Sequence, residues 1–261
     1  MIRKRGDGYH EIETVFYPLK LADALEIVPS SNNIDEIEFS STGIQFDNDN
    51  AANLCINAFE LLAKDFHQLP NLKMHLHKVI PVSAGLGGGS SDAAFTLKLL
   101  NQKFNLGLST EKLLDYSLRL GSDCPFFIIN KPCLATGRGE FLEAIPLDLS
   151  AYKFLIVNPR IQISTAWAFS KLSISRIERN SLKKIIQQPV ETWKNDLSND
   201  FEKIIFEKFP VIKNIKEELF KAGAVYCSMS GSGSTVYGIF PRQMKIQTSF
   251  PTEYFLRELD G

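Results

Sequence analysis

Residues 81–94 read PVSAGLGGGSSDAA, from Pro81 to Ala94. Gly85, Gly87, Gly88 and Gly89 fall within five positions, and the chain then turns into good helix formers, DAAFTLKLL. Glycine loses more backbone entropy on folding than any other residue, so such a run needs a use that offsets it. The start of a helix supplies one. Its first N–H groups have no partner within the helix and carry a partial positive charge. Phosphates bind there. Glycines remove the Cβ atoms that would hold a phosphate off, and let successive N–H groups converge on it. Ser90 and Ser91 add hydroxyls for phosphate oxygens or a magnesium ion, and Lys78 upstream can lend a charge. The plain alternative is a flexible turn, but a linker does not run into a strongly apolar helix.

The type of phosphate loop follows from what is missing. No lysine follows the glycines, so this is not the GxxxxGK[ST] loop. A dinucleotide GxGxxG pattern nearly fits from Gly85 and Gly87, but its last position is Ser90, and no acidic residue closes a tidy strand–helix–strand unit.

Working outward, NLKMHLHKVI (71–80) alternates as a strand, with His75 and His77 on the face opposite Leu72, Met74 and Leu76. Two histidines without further ligands read as a solvated strand face rather than a metal site. HEIETVFYPL (10–19) and DALEIVPS (23–30) read as strands, and SSNNIDEIEFSSTG (30–43) as an edge hairpin or loop. NLCINAFELLAKDF (53–66), SSDAAFTLKLLNQKF (90–104) and LSTEKLLDYSLRLG (108–121) carry helical spacing, the last capped by Ser109 and closed by Gly121. CPFFIINKPCLATGRGE (124–140) reads as a hairpin around Asn130-Lys-Pro, YKFLIVNP (152–159) as a buried strand, and STAWAFSKL (164–172) as a helix started by serine. Residues 173–210 are charged and weakly patterned. VIKNIKEELFKAGA (211–224) is a helix ending at Gly223, and VYCSMSGSGSTVYGIF (225–240) is strand, Gly/Ser turn, strand. Strands and helices mix without regular alternation, which points to α+β rather than a doubly wound sheet. A lobe boundary is expected near 145–152.

The 261 residues carry a formal net charge of -1, from 29 basic and 30 acidic side chains. That balance gives no general attraction to nucleic acid or anionic membrane. No stretch approaches the length of apolar chain a transmembrane helix needs, and MIRKRGDGYHEIE lacks the apolar core of a signal peptide. Cys55, Cys124, Cys133 and Cys227 form no CxxC pair and read as reduced, buried thiols of a cytoplasmic protein.

The stretch PVSAGLGGGSSDAA resembles the central ATP-binding motif of the GHMP small-molecule kinases. RGDGYHEIETVF near the start, LGSDCPFF (120–127), ATGRGE (135–140) and MSGSGSTVYGIF (229–240) narrow the resemblance, in order and along nearly the whole chain. They match the branch whose substrate is a cytidine diphosphate ester of methylerythritol and whose reaction phosphorylates its 2-hydroxyl. Two other readings stand beside it: a GHMP kinase acting on homoserine or a mevalonate derivative, and a non-catalytic nucleotide-binding protein.

The resemblance implies an α+β fold in two lobes. One is a ribosomal-protein-like ATP-binding domain over 1–148, and the other a C-terminal domain over 149–261. It implies ATP and magnesium as cofactors and a small-molecule substrate. The ATP site falls on Asn53, Lys78, Pro81, Val82, Ser83, Ala84, Gly85, Leu86, Gly87, Gly88, Gly89, Ser90 and Ser91. Asp123 falls at the reacting hydroxyl, where a carboxylate can accept or orient its proton. Tyr9 and His10 fall where the family holds the cytosine, Phe169 on its other face, and Thr165 near the sugar or phosphate end. Gly231 and Gly233 lie in the turn that shapes the substrate site, and 137–140 in a substrate-side loop. The family also opens with a strand of the type AKxNxxLxIxxxRxDGYH. Met1 falls near that strand's end, so its lysine and asparagine have no counterpart here, and the expectation is a truncated start with weakened catalysis.

Overall fold

The computed structural model describes residues 3–4, 6, 10–30, 37–45, 53–172 and 181–261. Tyr9 lies outside them. The chain forms two compact units, neither continuous in sequence. One comprises Leu21–Val82 and Gly87–Lys131; the other comprises Met1–Lys20, Ser83–Leu86 and Pro132–Gly261.

The first of these units is a three-stranded sheet packed on helices. Its elements are β3 (Ala24–Pro29), β4 (Glu38–Gly43), α1 (Leu54–Ala63), β5 (Leu72–Lys78), α2 (Gly88–Lys103), α3 (Thr110–Leu120) and α4 (Cys124–Ile129). The strand order is β3-β5-β4, with β3 antiparallel and β4 parallel to β5. The period-2 pattern of β5 buries Leu72, Met74, Leu76 and Lys78. Its other face carries His75 and His77, bonded to the Ser40 and Thr42 hydroxyls of β4. The core joins Met74 and Leu76 to Ala58 and Leu62 of α1 and to Ala94, Leu97 and Leu100 of α2. Asn53 caps α1 and Ser109 caps α3.

Of the stretch 30–43, read as an edge hairpin or loop, residues 31–36 lie outside the described residues, and Glu38–Gly43 is the edge strand β4, held in parallel register from Glu38 opposite Lys73 to Gly43 opposite Lys78. One reading changes here. Residues 124–129 are not a hairpin arm but the helix α4. Pro125 sits in its first turn, where a missing N–H costs nothing. Asn130, left-handed at φ 49°, ends it.

The second unit holds two antiparallel sheets. β1 (Arg3–Lys4), β2 (His10–Phe16), β6 (Cys133–Gly137) and β7 (Phe141–Ala144) form one, in that order. The other runs β11 (Phe255–Asp260), β8 (Tyr152–Asn158), β10 (Val236–Pro241), β9 (Tyr226–Met229). β8 lies between two strands and is buried on both faces, so FLIV is a continuous apolar run rather than an alternating one. Leu155 and Val157 join Ile205, Ile212 and Leu219 in one core. Those three come from α8 (Glu202–Lys208) and α9 (Pro210–Lys221), which follow the short α6 (Leu182–Ile185) and α7 (Trp193–Asp196). Phe154 joins Leu134, Ile145 and Ile239 in another. Leu134 and Ile145 thus share a core with β8 and β10. α5 (Thr165–Lys171), with Ser164 accepting from Trp167 N, completes what the site needs.

Candidate active site

In the first unit, α2 begins without a side-chain cap. Gly87 stands at its N-cap, left-handed at φ 68°, and has no side chain with which to cap the first N–H groups. A Cβ there would stand 2.9 Å from Phe127 Cζ, so both the backbone and the space demand glycine. At Gly88 a Cβ would come within 3.0 Å of Ile80 Cγ2 and of Lys78 Nζ. Gly89 differs: it is exposed, and among the described residues a Cβ there would meet Leu54 Cδ1 at 3.6 Å, an ordinary contact. Packing therefore does not require glycine at 89. Ser90 and Ser91 follow, half-buried, in the first turn.

Lys78 stands beneath this helix start, 4% exposed. Its Nζ donates to Asp23 and, at 2.8 Å, to Asp92 of α2. Asp23 also accepts from the N–H groups of Val79 and Ile80, at 2.5 and 2.8 Å. One carboxylate thus fixes the chain leaving β5, the other fixes α2, and the lysine joins them. Burial, against the pull of Lys78, pushes the Asp92 carboxyl up to about 6.

Asn53 is 8% exposed. Its Oδ1 accepts from Cys55 N at 2.9 Å and from Ile56 N at 3.5 Å. Its Nδ2 is buried and, among the described residues, has no acceptor. An orphaned buried donor costs about 1–3 kcal/mol, which is reason to look for an outside acceptor.

Asp123 precedes α4 at the N-cap position, yet its side chain makes no cap bond. The residue is open to solvent on one side while protein crowds the carboxyl, and that burial raises its pKa above the ordinary carboxylate value. Next to it the buried Cys124 thiol is pushed up to about 11 by burial, against a smaller lowering pull from Ser90 of α2. Phe127 lies against Gly87, so α4 and the start of α2 are packed together.

In the second unit, residues 83–86 meet the Gly/Ser turn after β9. Ser83 and Gly85 both have positive φ, 54° and 76°. Ser230 Oγ donates to Gly85 O at 2.7 Å, and Thr235 N donates to Ala84 O at 3.1 Å. A Cβ on Gly85 would stand 2.1 Å from Ser230 O. Gly231 and Gly233 turn with φ 55° and 89°. Thr165 of α5 is bonded to Ser232 at 3.1 Å, and the Phe169 ring lies 5.0 Å from His10 and 5.0 Å from Phe201. The structure therefore brings His10, Phe169 and Thr165 onto the same unit as the 230–234 turn. Pro81 is half-buried, Val82 exposed, and Leu86 half-buried between the two glycine positions it separates.

Models of the GHMP kinase N-terminal domain and the GHMP kinase C-terminal domain match residues 53–131 and 181–250. A 4-diphosphocytidyl-2-C-methyl-D-erythritol kinase of Bacteroides fragilis is 48% identical over 243 residues, 93% of this chain and 88% of that one. One of Parabacteroides distasonis is 45% identical over 99% of this chain and 93% of its own. The chain belongs to the 4-diphosphocytidyl-2-C-methyl-D-erythritol kinase family. A crystal structure titled 4-(cytidine 5'-diphospho)-2C-methyl-D-erythritol kinase matches with a TM-score of 0.78 and 26% identity, covering 100% of this chain and 94% of that one. Mevalonate kinase of Methanococcus jannaschii shares the fold, with a TM-score of 0.65 at 15% identity, over 90% of this chain and 92% of its own. The kinase family thus carries the expected α+β fold, with mixed sheets and helices.

Four residues escape sequence reading in this kinase: Asp23, Asp92, Asn199 and Glu202. A lysine on the buried face of β5 is itself a signal, since a buried ammonium needs counter-charges. Asn199 Nδ2 donates to Met229 O and Gly231 O, each at 2.8 Å. Glu202 accepts from Met229 N at 2.8 Å. Nothing in the charged stretch around them marks either one.

Proposed function

We propose that this chain transfers the γ-phosphoryl group of ATP to the 2-hydroxyl of 4-diphosphocytidyl-2-C-methyl-D-erythritol. The glycine-lined N-terminus of α2 carries the reading: it presents N–H groups that have no partner within the helix, and a positive dipole, to an anion. The cytidyl acceptor rests on the relatives' names, supported by the aromatic pair His10 and Phe169.

In this reading residues 81–91 cradle the ATP phosphates through backbone N–H groups and the Ser90 and Ser91 hydroxyls. Lys78 sets the loop's foundation. The orphaned Nδ2 of Asn53 donates to an acceptor nitrogen of adenine. Phe169 and His10, with Tyr9 next to His10 in sequence, hold the cytosine by stacking and edge hydrogen bonds. Thr165, Gly231 and Gly233 shape the sugar–phosphate end. Asp123 accepts the proton of the attacking hydroxyl, or orients it; a raised pKa suits a base at neutral pH. The division into an ATP-binding part over 1–148 and a C-terminal part over 149–261 belongs to the same proposal, as does a cytoplasmic site of action.

Magnesium, when bound, would neutralise the negative charge of the phosphates. Among the described residues no group of three His, Cys, Asp or Glu side chains could hold an ion. The donors that fit are Ser90 and Ser91, with the phosphates themselves supplying the rest.

The test is phosphoryl transfer followed by phosphorus NMR, with magnesium, ATP and each of three acceptors: the cytidyl diphosphate ester, homoserine and mevalonate. A new phosphomonoester with the cytidyl acceptor alone is the expected outcome. Turnover of homoserine or mevalonate in its place would overturn the assignment.

A further inference from the structure

The glycine turn after β9 is held from both sides, and only one side belongs to the motifs described so far. On the far side Asn199 grips it. Its Nδ2 donates to the carbonyls of Met229 and Gly231 at 2.8 Å, while its Oδ1 accepts from Phe201 N at 2.9 Å. Glu202, 8% exposed, accepts from Met229 N at 2.8 Å and Ser228 Oγ at 3.2 Å, and its other oxygen binds Lys216 Nζ at 2.6 Å. On the near side the turn holds the entry to the phosphate loop, through Ser230 Oγ to Gly85 O and Thr235 N to Ala84 O.

We propose that Asn199 and Glu202 are positioning residues for phosphoryl transfer, acting through the 230–234 turn on residues 83–86 of the phosphate loop. This deepens the kinase reading and rests on it. The physical argument is one of degrees of freedom. Ser83 and Gly85 sit in left-handed conformations that no regular element enforces. Hydrogen bonds to Ala84 and Gly85 come from the turn, and the turn's own Met229 and Gly231 are fixed by Asn199 and Glu202. Asn199 is well chosen for this. Only an amide can donate twice to two carbonyls and still accept from the backbone that begins α8.

Asn199→Asp is the test variant. It keeps the shape and the acceptor for Phe201 N, loses both donors, and sets a carboxylate against two carbonyl oxygens. It is compared with Ser230→Ala and the double variant, in ATP kinetics and in amide hydrogen exchange of the full chain. A loosened loop entry lowers kcat/KM for ATP about 10- to 100-fold, the scale of a small misplacement of reacting groups. Exchange should quicken in residues 83–86 as well as 230–235. The double variant should be no worse than the worse single variant, because both act along one path. Quickened exchange confined to 230–235, or effects that multiply in the double variant, would overturn the proposal. If wild-type protein fails to phosphorylate the cytidyl acceptor, the function proposal fails, while the exchange comparison still decides the positioning role. If Asn199→Asp does not fold, Asn199→Ala replaces it under the same criteria.

Discussion

Gly89→Ala separates what the fold needs from what the ligand needs. Among the described residues, a Cβ at position 89 would meet Leu54 Cδ1 at 3.6 Å, and the backbone there is helical. Alanine in a helix is favoured over glycine by about 0.5–1 kcal/mol. The low end applies, since Gly89 lies in the first turn. In a chain of this size that gain raises Tm by roughly 1–2 °C. The same methyl, however, projects from an exposed position at the mouth of the proposed phosphate cradle. Pushing a phosphate off one preorganised donor costs on the order of 10²–10³ in rate. The variant should therefore melt at or slightly above the wild-type temperature and lose at least tenfold in kcat/KM for ATP. Differential scanning calorimetry and initial-rate kinetics on one preparation read both effects. If Gly89→Ala keeps wild-type ATP kinetics, the phosphates do not approach α2 at this residue, and the cradle must be redrawn. If it unfolds, the packing argument is wrong. Gly85→Ala is the contrasting case: its Cβ would collide with Ser230 O at 2.1 Å, so it should lose stability and activity together.

Asp123→Asn should lower kcat by roughly 10²–10⁴. Burial raises the folded-state pKa of Asp123, so its contribution to stability is fully present below the unfolded pKa and is lost as pH rises through the folded one. The variant's melting temperature should accordingly gain on wild type as pH goes from acid to neutral; a gap that shrinks instead would show the carboxylate to be stabilised. Asn53→Asp keeps the helix cap but loses the orphaned donor, so Tm should hold while KM for ATP rises about tenfold; an unchanged KM would remove Asn53 from the ATP site. Lys78→Met leaves Asp23 and Asp92 buried without their cation and should cost about 3–5 kcal/mol in urea unfolding; a loss below 1 kcal/mol would mean the pair is protonated or rehydrated.

What could be read from sequence was local. The glycine loop and α2 were legible because turn and helix signals sit side by side in one stretch. The alternation of β5 put His75 and His77 on the open face, and the caps at Asn53, Ser109 and Ser164 were each set by one side chain near its own helix. α4 was not legible. Its CPFFII has strand-like composition, and the helix it forms packs against α2 and α3. The counter-ion Asp23 lies 55 residues from Lys78, beyond any periodicity. Asn199 and Glu202 act on backbone atoms of a distant turn, and backbone partners leave no trace in side-chain patterns.

The pairing of β2 with β6 has a consequence for synthesis on the ribosome. Phe16 lies opposite Cys133 and Ile12 opposite Gly137. At 5–20 residues per second, β2 waits roughly 6–25 s before its partner strand is made. The compact unit ending at Lys131 is complete by then. During that delay, HEIETVF is a nascent strand whose β6-facing edge is free, open to pairing with neighbouring chains. Glu11 and Glu13 alternate with Ile12 and Thr14 along it. Their repulsion between copies makes them gatekeepers for the interval before Cys133 emerges.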